Sequence, residues 1–222
     1  MCTVSTSKRQ SSQSITSTPD SEALASAGYH HGNLRAALID EGLVLLEQTG
    51  EAKFSLRELA RRVGVTANAA YRHFANKDAL LMGLAAEGMR LFAASQAQAW
   101  AATSGDDADK FLSMGSNYVR FAQGRPELFR LMFGRYTVEH RSDELEQASN
   151  FAFAGLTQGV AAALGLSVES EETQLAAYNA WAVVHGFSHL ILDGQIAGNG
   201  QDANVIVEAA LKQWLVTTKQ TL

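Results

Sequence analysis

The sequence predicts an all-α protein, and three observations support this prediction. The 222 residues include 36 alanines and only two prolines, and alanine has the highest helix propensity whereas an interior proline breaks a helix. Apolar residues recur with helical spacing from Asn33 onward, and no stretch of useful length alternates as a β-strand does. Capping residues and glycines divide the pattern into about nine helices.

The composition excludes several other classes of protein. Apolar residues make up 46% of the chain and charged residues 18%, which excludes a wholly disordered chain. The single cysteine, Cys2, cannot form an internal disulfide, which fits a reducing cytoplasm. Residues 1–27 are polar and lack the apolar core of a secretory signal, so we interpret them as a disordered tail. The longest apolar stretch, Ala176–Leu192, contains an asparagine, a serine and two histidines, which favours a buried helix over a membrane span.

Residues 28–82 are predicted to form a small helical domain. Its first helix follows Asn33, and Gly50 is expected to end it. Ser55 and Glu58 have the spacing of a capping box. In such a box the Ser55 hydroxyl accepts from the backbone N–H of Glu58, and the Glu58 carboxylate accepts from the backbone N–H of Ser55. Each of these features indicates a helix boundary.

Two short helices in this domain, Ser55–Val63 and Thr66–His73, have the arrangement of a helix-turn-helix motif. Gly64 permits the tight turn between them, and the small Ala60 allows the helices to cross closely. Thr66 is the expected N-cap of the second helix, as Asn76 is of the next. An ordinary helical hairpin would show a similar pattern, so the spacing leaves both interpretations open.

The larger domain is predicted over residues 83–222, where one helix follows another. A proline begins one of these helices, and glycines at 194, 198 and 200 mark the loop before the last one. The predicted helices are Lys77–Ala101, Asp107–Gln123, Pro126–Phe133, Asp143–Leu164, Glu171–Leu192 and Ala203–Thr218.

The residues that follow Gly64 carry a family resemblance. The run Tyr71-x-His73-Phe74-x-x-Lys77-x-x-Leu80, the segment Phe54–Ala60 before it and the lead-in Tyr29–Arg35 resemble the DNA-binding head of the TetR (tetracycline-repressor) family. The resemblance covers residues 29–82. It implies a homodimeric transcriptional regulator, and phosphate-contacting roles for Thr66, Tyr71, His73 and Lys77.

The chemistry of these residues is consistent with that implication. Tyr71 and His73 carry a phenol and an imidazole that can donate to phosphate oxygens. Lys77 begins a helix, so its ammonium and the free amides of that helix together favour an anion. Ser55 and Thr66 also lie at helix starts, where capping and phosphate contact are both compatible roles.

Base recognition is expected from the N-terminal part of the second helix. The Asn68 amide can pair bidentately with adenine, and Ala67 can touch a thymine methyl group. Residues 28–82 carry a net charge of only +1, against −6 for residues 83–222. DNA contact therefore depends on a few well-placed groups rather than on a broad basic surface.

The larger domain is predicted to bind a small-molecule effector. The segment Phe129–Tyr136 has apolar groups on more than one face, as a pocket wall would. The segment Asn179–Gly186 resembles the Trp-x-x-x-His-Gly signature of one TetR branch, which implies effector binding and dimerisation through the last two helices. The residues predicted to form the effector pocket are Phe121, Phe129, Met132, Phe133, Trp181 and His185.

A metal site is an alternative interpretation of His185, His189 and Asp193, which share one helical face. The first and last lie about 12 Å apart along a helix, so these three groups cannot surround one ion. A His185–His189 pair would need a further ligand, such as His140. We therefore predict no metal and no cofactor.

The function that these observations predict is a cytoplasmic transcriptional repressor. It binds a palindromic operator in double-stranded DNA as a homodimer and is released by an effector. No activated nucleophile or paired carboxylate indicates an enzyme. Two alternatives stay open: a helical ligand- or metal-dependent enzyme, and an architectural DNA binder that takes no effector.

Overall fold

The computed structural model describes residues 1, 34–134, 136, 140–196 and 203–221, and within them the all-α prediction is confirmed. The predicted tail at 1–27 and the lead-in before Leu34 lie outside the described residues, apart from Met1. None of the described helices has the length and apolarity needed to cross a membrane. The described helices are α1 (Leu34–Lys53), α2 (Leu56–Val63), α3 (Ala67–His73), α4 (Lys77–Ala102), α5 (Asp107–Gly124), α6 (Pro126–Gly134), α7 (Asp143–Leu164), α8 (Glu171–Leu192) and α9 (Ala203–Thr221).

The helix ends follow most of the predicted boundaries. Thr66 and Asn76 are N-caps as predicted, since their side-chain oxygens accept from the backbone N–H three residues later, at 3.2 and 2.8 Å. Gly50 interrupts the helical geometry of α1 with φ 68° and ψ 164°, but a further turn to Lys53 follows. The first regular helix therefore ends at Gly50 as predicted, and the turn after the kink continues α1 to Lys53.

The capping box predicted at Ser55 is wrong. The Ser55 side chain makes no capping hydrogen bond, and Glu58 turns instead to the guanidinium groups of Arg61 and Arg62, at 2.6 and 3.3 Å. Hydrogen bonds between two charged groups are about twice as strong as those between neutral groups. The two arginines therefore bind the Glu58 carboxylate, which the capping box would have used to accept from the Ser55 N–H.

The helix-turn-helix arrangement depends on Gly64. Its φ of 78° and ψ of 26° lie in the left-handed region, which residues with a Cβ avoid. Beyond it, the Val65 N–H donates to the Ala60 carbonyl at 2.9 Å, and the chain turns from α2 into α3. The apolar residues buried in and beside this motif are Leu38, Leu45, Leu46, Leu56, Leu59, Ala60, Ala70 and Phe74.

The remaining helices pack around α4 and α5. The 26-residue α4 packs against α5, α6 and α7, and α5 packs against α7, α8 and α9. The predicted domain boundary after residue 82 falls inside α4, and Arg35–Leu222 form one compact unit of contacts. Phe111, Val160, Ala177, Ala180 and Leu215 form the centre of one apolar cluster in this region.

Gly88 allows an unusually close approach of α4 and α6. A Cβ at this position would lie 2.7 Å from Met132 Sδ and 2.8 Å from Leu128 Cδ1. Both neighbours are almost completely buried, so they have little room to move aside. By contrast, a Cβ on Gly155 in the middle of α7 would meet nothing within 4 Å.

We expect Gly88→Ala to lower the free energy of unfolding by about 1–2 kcal/mol, because the added methyl group overpacks the α4–α6 contact. The matched variant Gly155→Ala should be neutral or stabilising by up to about 1 kcal/mol, because alanine favours the helix and meets no neighbour. Urea unfolding of the two variants measures the difference. Equal stability of the two proteins would contradict the packing argument.

Candidate nucleic-acid interface and internal cavity

The short helix α3 presents polar side chains to solvent. Ala70 is fully buried against the rest of the motif, whereas Asn68, Tyr71, Arg72 and His73 are exposed. Of these four, Asn68 lies nearest the N-terminus of α3. A helix held in this way can enter a major groove with its N-terminal residues against base edges.

The other residues predicted to contact DNA lie at helix starts beside α3. Thr66 is exposed and caps α3, Ala67 is half-buried, and Ser55 is half-buried at the start of α2. Lys77 Nζ donates to the Glu51 carbonyl at 2.7 Å, which ties the start of α4 to the end of α1. An ammonium group has three donors, so this bond orients Lys77 and leaves N–H groups for another acceptor.

Several arginines in and near the helix-turn-helix motif form ion pairs with glutamates of the same chain. Arg61 and Arg62 bind Glu58, and their hydrogen bonds lower the pKa of that carboxyl to about 2. Arg62 also binds Glu41, and Arg35 binds Glu144 on α7. The exposed cations that make no ion pair within the described residues are Lys53, Arg57 and Arg72. Sequence reasoning could not fully separate the paired from the unpaired cations, because the Arg62–Glu41 and Arg35–Glu144 pairs join different helices.

A second candidate site is a cavity of about 790 Å³. It lies among α4, α5, α7 and α8, and its size falls in the range of ligand pockets. Phe133 of α6 and Leu211 of α9 complete its wall. The large aromatic side chains in the wall are Phe92, Trp100, Phe111, Tyr118, Phe133, Phe151, Phe153, Tyr178 and Trp181.

The structure brings two of the six predicted pocket residues, Phe133 and Trp181, into the cavity wall. Phe129 and Met132 are at most 1% exposed and belong to the packing of α6 instead. Phe121 packs edge-on against Phe92, with ring centroids 5.3 Å apart. His185 lies next to a wall residue, since its Nδ1 is 2.8 Å from the hydroxyl of Tyr118.

Tyr118 is one of the wall residues that sequence reasoning missed. Trp181 Nε1–H donates to the Tyr118 hydroxyl oxygen at 3.1 Å, and the same hydroxyl lies within hydrogen-bond distance of His185. A tryptophan N–H can only donate, so the Tyr118 proton is available to His185 Nδ1 if that nitrogen carries none. More than 60 residues separate Tyr118 from its partners, and no local pattern shows this pairing.

The polar groups of this trio are neutral at physiological pH. Burial raises the pKa of the Tyr118 hydroxyl above its usual value. Burial, and secondarily the charge of His189, lowers the pKa of His185 to about 4. A neutral imidazole whose Nδ1 carries no proton can accept the hydrogen bond from the Tyr118 hydroxyl.

The histidines of α8 do not form a metal centre with other described residues. In the part of the chain that the structure covers, no group of three or more His, Cys, Asp or Glu side chains is placed to hold an ion. The His185 and His189 rings lie edge-to-face with centroids 4.7 Å apart. His185 Nδ1 faces Tyr118.

A helix-turn-helix motif followed by a helical region with an internal cavity defines a class of protein, the DNA-binding regulators. Two family models specify the class. Residues 38–83 match the bacterial regulatory proteins of the tetR family, and residues 111–214 match the tetracyclin repressor-like C-terminal domain. The chain belongs to the tetR family of transcriptional regulators. Its membership of the branch with the Trp-x-x-x-His-Gly signature stays a prediction.

Solved structures show the same fold. A Rhodococcus protein of unknown function is 28% identical, with a TM-score of 0.74 over 85% of this chain and 97% of that chain. The regulator PfmR of Thermus thermophilus is 16% identical, with a TM-score of 0.56 over 81% and 97%. FadR of Bacillus subtilis, in complex with stearoyl-CoA, is 15% identical, with a TM-score of 0.63 over 82% and 97%. No curated protein matches the sequence.

We expect the neutral state of His185 to make stability depend on pH. Its pKa is about 4 in the folded protein and about 6.5 in an unfolded chain, so the unfolded state binds more protons between these values. The contribution of neutral His185 to the free energy of unfolding is fully present above pH 6.5 and is lost as the pH falls toward 4. His185→Gln, which keeps a polar partner for Tyr118, should lose less stability over this interval than the unmodified protein.

The measurement is the free energy of unfolding of both proteins at several pH values from 7 to 4. Carboxylates such as Glu58 titrate in both, so the difference between the two curves isolates His185. Parallel curves for the two proteins would show that folding does not change the pKa of His185.

Proposed function

We propose that this protein is a homodimeric repressor that binds a palindromic operator and leaves it when a small molecule occupies the cavity. The observation that carries the proposal is the course of α4. It begins with Lys77 beside α3, and its residues Met89, Phe92 and Trp100 line the cavity. A ligand that moves α4 therefore acts on the same helix that begins at the DNA-binding surface.

In the proposed complex, α3 enters the major groove. Asn68 and Ala67 contact base edges, and Tyr71 and His73 donate to phosphate oxygens, as their exposure allows. Lys77 contributes charge while it is held by the Glu51 carbonyl. Thr66 and Ser55 add hydroxyl contacts at the starts of α3 and α2.

Two further contacts support communication between the cavity and α1. The Glu47 carboxylate accepts from the backbone N–H groups of Glu127 and Leu128 at the start of α6, at 3.3 and 2.9 Å. Glu144 at the start of α7 binds both Arg35 of α1 and Arg90 of α4. Both α6 and α7 contribute to the cavity wall. A ligand that favours one arrangement of these helices shifts the population of DNA-competent dimers.

The proposed dimer interface lies on α8 and α9. Exposed residues follow one face of α8 at spacings of three and four, and none of them is charged: Leu175, Asn179, Ala182, Gly186 and Leu190. On α9, Val205 and Val216 are more than half exposed. Exposed apolar stripes of this kind are typical of surfaces that another chain covers.

The cavity favours this proposal over an architectural DNA binder, because such a protein does not need a cavity of the size of a ligand pocket. Tyr118 in the cavity wall and His185 behind it lie within hydrogen-bond distance of each other and are neutral, so we propose ligand binding there and no enzymatic reaction. We place the protein in the bacterial cytoplasm, where an operator is accessible.

Selection of binding sites from randomised duplex DNA tests the DNA-binding part of the proposal. The unmodified protein should select a palindrome, and Asn68→Ala should lose the preference at one base pair per half-site, worth about 1–3 kcal/mol. Lys77→Gln keeps a donor for Glu51 but removes a charge, so it should weaken binding to all sequences alike.

Arg120→Gln removes a charge from an exposed position of α5 and serves as the control with unchanged affinity. An unchanged base preference in the Asn68 variant would contradict the proposed base contact. Failure of the unmodified protein to select any sequence would contradict the proposed function.

The Ala182→Arg variant tests the dimer interface. Two arginines near the symmetry axis would repel each other and lie against apolar surface, so the dimer should dissociate and operator affinity should fall at least 100-fold. Sedimentation equilibrium at micromolar concentration measures the mass. Ala101→Arg, which changes an alanine that is also exposed on α4, is the control and should stay dimeric. A dimeric Ala182→Arg protein would place the interface elsewhere.

A further inference from the structure

The wall of the cavity contains a single charged side chain, Arg141, among all the described residues that line it. Its Nε is buried and has no hydrogen-bond partner within the described residues. Arg141 also makes no ion pair there, unlike Arg35, Arg61, Arg62 and Arg90. A guanidinium is always charged, and a buried donor without an acceptor costs about 1–3 kcal/mol.

The rest of the wall offers nothing that could neutralise this charge. It includes no aspartate or glutamate among the described lining residues. Tyr118 and Trp181 are occupied with each other and with His185, and these groups are neutral. A cationic ligand would therefore meet a like charge, whereas an anionic ligand would supply the missing acceptor.

The residues that line the cavity extend along α4 and α7, and Arg141 lies just before the start of α7. At that end Glu144, three residues after Arg141, binds Arg90 of α4. At the other end Gly159 of α7 approaches Trp100 of α4, where an added Cβ would lie 3.6 Å from the Trp100 ring. The α4 segment that lines the cavity runs from Met89 to Trp100, which is about 16 Å of helix.

The part of the wall near Trp100 is mainly apolar, with the glutamines Gln96 and Gln158 as its polar members. Trp100 and Phe111 lie in it beside Leu156 and Gly159, and Phe111 is part of the buried apolar cluster. Apolar groups of a ligand gain free energy here in proportion to the area that they bury. The cavity therefore combines one cationic end with an extended apolar body.

We propose that the effector is an amphipathic monoanion, a carboxylate on an extended hydrocarbon body. Its carboxylate binds the Arg141 guanidinium, which can present two parallel N–H groups to the two carboxylate oxygens. Its hydrocarbon part extends along α4 toward Trp100 and Phe111. This inference rests on the proposed function only in taking the cavity as the effector site.

Three probes of the same length and different charge test the proposal: dodecanoate, dodecanol and dodecylammonium. Binding is followed by tryptophan fluorescence, because Trp100 and Trp181 line the cavity, at probe concentrations below micelle formation. Dodecanoate should bind at least tenfold more tightly than dodecanol, a difference of about 1.4 kcal/mol. Dodecylammonium should bind most weakly.

Two variants locate the preference. In Arg141→Gln the affinity for dodecanoate should fall to that for dodecanol, while the affinity for dodecanol stays within a factor of two. Arg141→Lys keeps the charge and should retain part of the preference. Arg120→Gln, which removes an exposed arginine of α5, should keep all of it. Unchanged binding of dodecanol also shows that the variants are folded.

Three results would overturn the proposal: equal affinity of the unmodified protein for the acid and the alcohol, no binding of any probe, or a preference that survives Arg141→Gln. The titrations contain no DNA, so they are independent of operator binding. If the protein selects an operator but shows no preference for dodecanoate, the result supports the proposed function and contradicts the proposed anion site. A protein that prefers dodecanoate but selects no operator would support the anion site and contradict the proposed function.

Discussion

The contact of α4 with α6 at Gly88 is the constraint on which the rest of the structure depends. Because Gly88 has no side chain, Met132 and Leu128 can lie 2.7 and 2.8 Å from the position that a Cβ would occupy. This close packing leaves α4 little freedom to move without α6. Since Glu47 of α1 caps the start of α6, a displacement of α4 by a ligand also reaches the first helix. Packed interfaces of this kind switch between discrete arrangements and do not deform continuously.

The charges of this protein are arranged so that few of them are available to a partner. Arg61 and Arg62 hold Glu58, and Arg35 and Arg90 share Glu144. These exposed pairs add little stability, but those of Glu144 join α7 to α1 and α4, and all of them engage cations that a partner could otherwise bind. We therefore expect a weak general attraction to DNA, and in the proposed dimer specific binding depends on the geometry of the two subunits.

The cavity shows the opposite arrangement. Its polar groups, Tyr118, Trp181 and His185, satisfy one another and are uncharged, whereas Arg141 has no acceptor for its Nε within the described part of the chain. Because Glu144 lies only three residues beyond Arg141 and holds Arg35 of α1, an anion bound there lies close to a link with the DNA-binding part. In the proposed mechanism the effector site therefore lies beside a contact between α7 and α1.

The sequence by itself determined the helices, the turn at Gly64 and the caps at Thr66 and Asn76, because propensity, capping and left-handed glycine geometry act over a few residues. It did not determine which partner a charged or polar side chain takes. Glu58 bound two arginines instead of capping α2, and Tyr118 met partners more than 60 residues away. Only the tertiary structure decided that Phe129 packs in the core while Phe133 faces the cavity, since both have the same local pattern and differ only in what lies opposite them.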